Sequence, residues 1–176
     1  MADNYLEKKF EELHSGRLGG KTAGRRTPMK TPIGKVLVPF PPLRVLVTDG
    51  ISDLAQTVMG EFVKTGSKVA FSLAGTPAQM LRLGAQIAQR TGARFYPYDS
   101  ARTLDAIAQD WGGVDMTIEI DVDARKVQVK NLAKSTSNEI SYTDATASMR
   151  IAELCLYLAM PLSGFINGCR IDADSL

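Results

Sequence analysis

The sequence predicts an α/β protein of the Rossmann-like, doubly wound class, with a mainly parallel sheet in three α/β/α layers. Apolar runs of strand length alternate with segments of helical period between residues 43 and 120. Strands and helices that alternate in this way form a parallel sheet with right-handed crossovers and helices on both faces. The chain of 176 residues, 44% of them hydrophobic and 23% charged, has the composition of a folded globular protein.

The predicted elements follow one another from residue 43. Residues 43–48 form an apolar run that ends in a turn, after which Leu54, Val58 and Phe62 recur at helical spacing. The same pattern predicts later strands at 68–73, 93–97 and 114–120, and helices at 77–90 and 100–111.

Beyond residue 120 the period changes. Polar and apolar residues alternate across 117–122 and again across 126–130, which predicts a β-hairpin inserted after the fourth strand. The polar residues 134–144 are expected to form a loop. An apolar helix at 147–160, stopped by Pro161, and a final strand at 165–171 complete the predicted domain.

Residues 1–42 differ in character from the sheet domain predicted at 43–176. Residues 4–14 carry apolar side chains at helical spacing and predict a short amphipathic helix. Residues 15–42 are rich in Gly, Pro and Thr and carry six basic side chains with no acidic one. We expect an extended arm, which is either solvated or lies on a neighbouring subunit. A nucleic-acid contact by the arm lacks a supporting recognition motif.

Charge and cysteine usage exclude several classes of protein. The formal net charge is +2, from 21 Lys and Arg against 19 Asp and Glu, which is not the balance of a nucleic-acid or membrane-surface protein. Cys155 and Cys169 are too few for a disulfide framework and lack zinc-site spacing. No secretory signal is visible, and the longest apolar stretch, at 151–166, is too short for a membrane span. We expect a cytoplasmic protein.

The turn after the first strand carries a specific resemblance. Residues 48–55 read Thr-Asp-Gly-Ile-Ser-Asp-Leu-Ala. This turn and its flanking segments resemble the short-chain dehydrogenase/reductase family, whose first strand runs into a Thr-Gly-Gly-x-x-Gly-Ile-Gly turn. The likeness covers residues 43–120 and 148–176, which include segments similar to the family's first four strands, last helix and last strand.

The resemblance implies where a cofactor would lie. NAD or NADP would contact the turn through Thr48, Gly50 and Ser52, and Asp99, after the third strand, would lie near the adenine. An ordinary strand-end turn or a helix cap is the alternative role of Asp99.

Two departures from the family argue against this cofactor. Asp49, Asp53 and Ala55 stand where the family has glycines, so side chains obstruct the pyrophosphate and two carboxylates repel it. The acidic residue that would bind the adenosine ribose is replaced around residues 72–73. We therefore expect no cofactor, and NAD or NADP only if this altered turn still works.

The family's catalytic segment is missing. In the family a Ser and a Tyr-x-x-x-Lys pair lie between the fourth strand and the last helix, where this chain has the hairpin and the predicted loop. Tyr5 and Lys9 have the right spacing but precede the first strand, and Tyr142 has Thr146 where the Lys would be. No catalytic residue is predicted.

Three acidic side chains at and just after the end of the fourth predicted strand are candidate metal ligands. Glu119, Asp121 and Asp123 share one strand face, which suits either a divalent cation or a solvated face, and we favour the solvated face. His14 is the single histidine, so a multi-histidine site is excluded within one chain. We predict no metal ligands.

We therefore expect a catalytically incomplete, dehydrogenase-like protein that acts as a non-enzymatic binding or assembly module. The resemblance implies a homodimer or a higher homo-oligomer through the C-terminal helix and strand, where residues 154–158 are apolar, and we add the basic arm to that contact. A full-length dehydrogenase relative is the other possible partner. The alternative is an NAD(P)-dependent oxidoreductase in which Tyr142, Ser141 or Lys134 carries acid-base work.

Overall fold

The computed structural model describes residues 40–73, 77–97, 100–144 and 147–175. The predicted amino-terminal helix, most of the basic arm, His14 and Asp99 lie outside these residues. Within the described residues, no helix is both long and apolar enough to cross a membrane.

Seven strands form one sheet in the order β3-β2-β1-β4-β5-β6-β7. The strands are β1 Arg44–Thr48, β2 Lys68–Phe71, β3 Arg94–Phe95, β4 Met116–Asp121, β5 Lys126–Asn131, β6 Thr136–Ser141 and β7 Arg170–Asp172. The α-helices of the described chain are α1 Asp53–Lys64, α2 Pro77–Thr91, α3 Ser100–Trp111 and α4 Ser148–Ala159. Short 3₁₀ helices at Pro161–Phe165 and Ala173–Ser175 flank β7.

Helices cover both faces of the first half of the sheet. Neighbouring residues of a strand point to opposite faces, and Val45 packs in the large core with α1, α2 and α4. Leu46 packs instead in a smaller cluster with Ile107 of α3. Strand β1 pairs in parallel with β2 and β4, and β2 pairs in parallel with β3. The predicted doubly wound α/β/α class is therefore confirmed.

The strands β4, β5 and β6 form an antiparallel meander, defined here as residues 116–141. The predicted hairpin is confirmed, but the loop expected at 134–144 is wrong because most of that segment is β6. Two of the three inward positions of β6 hold polar side chains, those of Thr136 and Asn138, and the third holds Ile140. Asn138, 3% exposed, donates from Nδ2 to the Ile166 carbonyl at 3.1 Å and accepts from the Cys169 amide at 3.1 Å.

The chain after α4 also differs from its prediction. The strand expected at 165–171 is shortened to β7 and is preceded by the 3₁₀ helix Pro161–Phe165. The buried Ser163 hydroxyl donates to the Leu158 carbonyl at 2.7 Å, which folds the chain back onto the end of α4. Short apolar runs do not distinguish this hydrogen-bonded turn from a strand.

Candidate functional site

The turn after β1 is built by local interactions. Asp49 has φ of 56°, a left-handed conformation that Asp tolerates better than most residues. Thr48 is the last residue of β1 and pairs with Glu119, and its hydroxyl donates to the Ile118 carbonyl at 3.5 Å. This turn lies at the carboxyl edge of the parallel strands, where ligands of doubly wound sheets bind.

Gly50 is needed by the packing of β2. A Cβ added at Gly50 would lie 2.5 Å from the Cδ2 of Phe71, so any side chain here displaces a core ring. The Gly50 amide donates to the Ser72 carbonyl at 3.3 Å. The glycine that the resemblance assigns to the pyrophosphate is therefore engaged by the neighbouring strand.

Ser52 is the N-cap of α1. Its hydroxyl oxygen accepts from the Ala55 amide at 3.1 Å, and its carbonyl accepts from the Gln56 amide at 3.0 Å. The first turn of α1 also carries the exposed Asp53. A cap hydroxyl and a carboxylate thus take the place that an anion takes at an open helix terminus.

The ends of β2 and β3, near which the resemblance places the adenosine, carry aromatic side chains that belong to the core. The rings of Phe71 and Phe95, at the ends of β2 and β3, lie 5.3 Å apart between centroids. Ser72 and Leu73, which follow β2, are buried and supply no carboxylate for a ribose. The structure groups Thr48, Gly50 and Ser52 at the end of β1, and their assignment to a cofactor stays a prediction.

The three residues considered for acid-base work do not meet. Tyr142 directly follows β6, whereas Lys134 precedes it, so the six-residue strand separates them by about 20 Å. The Ser141 hydroxyl donates to the Ile171 carbonyl at 3.5 Å.

Lys134 instead holds the end of α4. Its Nζ donates to the Ala159 carbonyl at 3.2 Å and to the Met160 carbonyl. Burial lowers the pKa of Lys134. A cation at a helix carboxyl terminus stabilises that helix end, so this lysine has a structural role.

A cleft of about 510 Å³ lies at the carboxyl edge of the sheet, and we call it the edge cleft. It is lined by Ser52, Asp53, Leu54, Val122, Arg125, Tyr142, Thr143 and Ser148. These residues come from the start of α1, the β4–β5 turn and the connection from β6 to α4. The edge cleft therefore lies beside β1 and β4, on the side away from β2.

Two polar side chains of the edge cleft have defined surroundings. Tyr142 is 5% exposed, and burial, together with the charge of Asp121, raises the pKa of its hydroxyl against the opposing charge of Arg125. The Arg125 guanidinium donates to the Thr143 carbonyl at 3.1 Å. Sequence reasoning missed Arg125. The sequence feature that could have indicated this residue is a basic side chain in the turn of a predicted hairpin, at the carboxyl edge of the sheet.

The outer face of the meander is polar and charge-paired. Lys130 lies 2.9 Å from Glu119, and Glu139 is bridged by Lys126 at 3.3 Å and by Arg170 at 3.0 Å. Because Glu119 pairs with a lysine, the sequence-derived cluster of three carboxylates is not assembled. Among the described residues, no group of three or more His, Cys, Asp or Glu is arranged to hold a metal ion.

The C-terminal segment presents apolar side chains to solvent. Leu162 is 69% exposed and Phe165 is 81% exposed, and their spacing of three residues in a 3₁₀ helix places them on one side. Tyr157 of α4 is 43% exposed, whereas Leu158, predicted with it as a contact residue, belongs to the core.

Comparison with known proteins finds likeness in structure alone. No family model and no curated protein matches this chain. It is similar to a short-chain dehydrogenase/reductase from Serratia marcescens, with 13% identity, a TM-score of 0.54 and coverage of 76% of this chain and 97% of that one. It is also similar to BdcA, solved in complex with NADPH, with 17% identity, a TM-score of 0.53 and coverage of 77% and 95%. The chain has the short-chain dehydrogenase/reductase fold, and the resemblance is confirmed at that level.

Proposed function

We propose that this protein is a catalytically incomplete, non-enzymatic binding and assembly module with the short-chain dehydrogenase/reductase fold. The observation that carries the proposal is the meander. By the resemblance, the catalytic Ser and the Tyr-x-x-x-Lys pair belong to this part of the chain. Here the same part consists of three antiparallel strands joined by two short turns, and its outer face carries paired charges. No Tyr and Lys meet among the candidates, since Tyr142 and Lys134 lie at opposite ends of β6.

The turn after β1 supports the same proposal. A dinucleotide needs close approach to the backbone of this turn and free amides at the helix start. Gly50 lies against Phe71, Ser52 caps the helix, and Asp53 adds a negative charge. These features favour a protein that works without a nicotinamide cofactor.

We propose that assembly joins two or more copies through the C-terminal segment. Leu162 and Phe165 expose apolar side chains on one side of their 3₁₀ helix, and Tyr157 of α4 is also exposed. Contiguous exposed apolar side chains are typical of protein interfaces. A full-length dehydrogenase relative is the second partner that this surface fits.

We place the protein in the cytoplasm. Cys155 is free and buried, Cys169 is free and exposed, and burial raises the pKa of the Cys155 thiol to about 12. Two unpaired thiols suit a reducing compartment.

Two measurements on the full chain test the proposal. Isothermal titration with NAD, NADH and NADPH is expected to show no binding. A dissociation constant near 1 μM, on the order of −8 kcal/mol, contradicts the cofactor-free function. Light scattering after size exclusion is expected to show a dimer or larger, and a monomer at all concentrations contradicts the homo-oligomer.

A matched pair of variants locates the interface. Phe165→Ser is expected to weaken self-association at least tenfold, since it removes an exposed apolar side chain worth about 1.5–3 kcal/mol on burial. Leu81→Ser changes a 54% exposed leucine of α2 and is expected to leave association unchanged. If both substitutions weaken self-association equally, or neither weakens it, the interface does not include the Phe165 side chain.

A second candidate function is an NAD(P)-dependent oxidoreductase with a non-standard site. The observation that favours it is Tyr142, whose protonated hydroxyl belongs to the edge cleft. It predicts cofactor-dependent turnover of a small alcohol or carbonyl compound that is lost in Tyr142→Phe. Absence of turnover with both NAD and NADP across such compounds removes this candidate.

A further inference from the structure

We propose that the edge cleft binds a small organic carboxylate whose body is apolar or aromatic. This inference rests on the proposed binding function and names its ligand class. The cleft volume of about 510 Å³ is within the range of small-molecule sites.

Two helices begin at the edge cleft. Helix α1 follows β1 and α4 follows β6, and these strands run in the same direction because two antiparallel pairings separate β4 from β6. The positive ends of both helix dipoles therefore lie at the same edge of the sheet. Helix α4 starts at Ala147 without a side-chain cap, and its first turn has no acidic residue. An anion at this edge gains from the start of α4, whereas Ser52 and Asp53 already occupy the start of α1.

Tyr142 supplies an independent observation. The residue lines the edge cleft and is 5% exposed, and its hydroxyl has no hydrogen-bond partner in the part of the chain that the structure describes. Because the hydroxyl pKa is raised, Tyr142 is a protonated donor at neutral pH. A tyrosine hydroxyl donates one hydrogen bond, so an oxygen of a ligand in the edge cleft can accept from Tyr142.

Arg125 supplies the cation, and its position is set before a ligand binds. Its backbone has φ of 53°, its carbonyl accepts from the Tyr142 amide at 3.2 Å, and its guanidinium donates to the Thr143 carbonyl. Thr143 in turn donates from its amide and hydroxyl to Asp174 at 2.7 and 2.6 Å. These contacts hold the turn and reduce the ordering cost of binding.

The lining also selects the kind of anion. Leu54, Val122 and the ring of Tyr142 provide an apolar wall for the ligand body. The carboxylate of Asp53 opposes a phosphate dianion more strongly than a single carboxylate. The described lining comes from the β1, β4 and β6 side of the sheet, and its volume of about 510 Å³ suits a small organic acid.

The test is an NMR titration of the full chain with benzoate, with benzyl alcohol and inorganic phosphate as matched probes. Benzoate is expected to shift the amides at residues 53–54 and 148–149, with a dissociation constant on the order of 1 mM. Benzyl alcohol lacks the charge and phosphate lacks the apolar body, so both are expected to bind at least roughly tenfold more weakly.

Three variants assign the contacts. Arg125→Gln is expected to weaken benzoate binding about tenfold or more, and Tyr142→Phe about three- to tenfold. Lys126→Gln is the control, because it removes a positive charge from the residue that follows Arg125. The Lys126 ammonium donates to the Glu139 carboxylate on the outer face of the meander, away from the edge cleft. Benzoate affinity is expected to be unchanged in this control.

Several outcomes would overturn the inference. These are an absence of benzoate shifts at these amides up to on the order of 50 mM, equal binding of benzyl alcohol, or equal benzoate affinity in Arg125→Gln and the parent chain. If Tyr142→Phe fails to fold, the comparison of Arg125→Gln with Lys126→Gln decides. A parallel NADPH titration keeps the two proposals apart, because NADPH binding contradicts the proposed function, whereas missing benzoate shifts contradict the ligand class.

Discussion

The two halves of the sheet cover their strands differently. In the half formed by β1, β2 and β3, helices lie on both faces, and the adjacent residues Val45 and Leu46 are both buried although they point to opposite sides. In the meander, Val129 faces the helices, while Gln128 and Lys130 face outward among other polar side chains. The difference teaches that a strand's outer face needs no helix when every second residue is polar.

The same comparison explains how the meander connects its strands with few residues. Parallel neighbours need crossovers of about a dozen residues or more, whereas antiparallel neighbours need only short turns. The meander therefore connects β4, β5 and β6 without helices between them. By the resemblance, the family's catalytic residues belong to this part of the chain, so the meander is the region on which the proposed lack of an active site depends.

The largest expected effect tests the two faces of β5. Val129→Lys places a charge at a position 1% exposed in the core and is expected to cost about 4 kcal/mol or more of the free energy of unfolding. Gln128→Lys puts the same side chain on the outer face, in register between Glu119 and Glu139, and is expected to change it by about 0.5 kcal/mol or less. Urea unfolding measures both, and similar losses would refute the one-sided meander.

The next effect tests the turn in the parallel half. Gly50→Ala forces its Cβ against Phe71 and is expected to cost about 1–3 kcal/mol. Gly60→Ala is the control, since a Cβ there meets nothing within 4 Å inside α1, and it is expected to stabilise the protein by about 0.5–1 kcal/mol. If Gly50→Ala is neutral in urea unfolding, the glycine is not required by packing.

A smaller, pH-dependent effect tests the junction of the two halves. Arg44, at the start of β1, binds the Asp115 carboxylate before β4 with contacts of 2.5 and 2.9 Å. Hydrogen bonds from Arg44, as the largest cause, lower the pKa of Asp115. The carboxylate therefore stabilises the fold above its unfolded pKa of about 4, and this contribution is lost as pH falls through the lower folded pKa.

Asp115→Asn is accordingly expected to destabilise the protein most at neutral pH, and less as the pH is lowered below about 4. Urea unfolding across that range measures the difference. Asp123→Asn, in the exposed β4–β5 turn, is the control and is expected to leave stability nearly unchanged. A loss in Asp115→Asn that is the same at every pH would contradict the assigned role of the carboxylate.

The smallest expected effect lies on the outer face itself. The side chains of Lys130 and Glu119 are 41% and 47% exposed, so their coupling energy is expected to be about 0–1 kcal/mol and to shrink in high salt. A double-mutant cycle with Lys130→Gln and Glu119→Gln measures it. A coupling well above this range would mean that another molecule covers the face.

How much was predictable differs between the regions. The parallel half was predicted nearly element by element, because runs such as 43–48 and the helical spacing of Leu54, Val58 and Phe62 are local signals. Strand β6 was missed, since its inward Thr136 and Asn138 are polar and its stability comes from hydrogen bonds to neighbouring segments.

The candidate site divides in the same way. The loss of glycines around Gly50 could be seen directly in the sequence, but the contact of Gly50 with Phe71 could not. Arg125 and Tyr142 are separated along the chain, and only the register of β5 and β6 brings them to one cleft. A sequence pattern reports what each residue prefers, not which distant residue it meets.

The sequence by itself determined the α/β class and the parallel half, because these depend on local periodicity and on which residue types are present. The tertiary structure decided the meander, the paired charges on its outer face and the edge cleft. Those features depend on strand register and on hydrogen bonds between segments far apart in the chain, which no local pattern encodes.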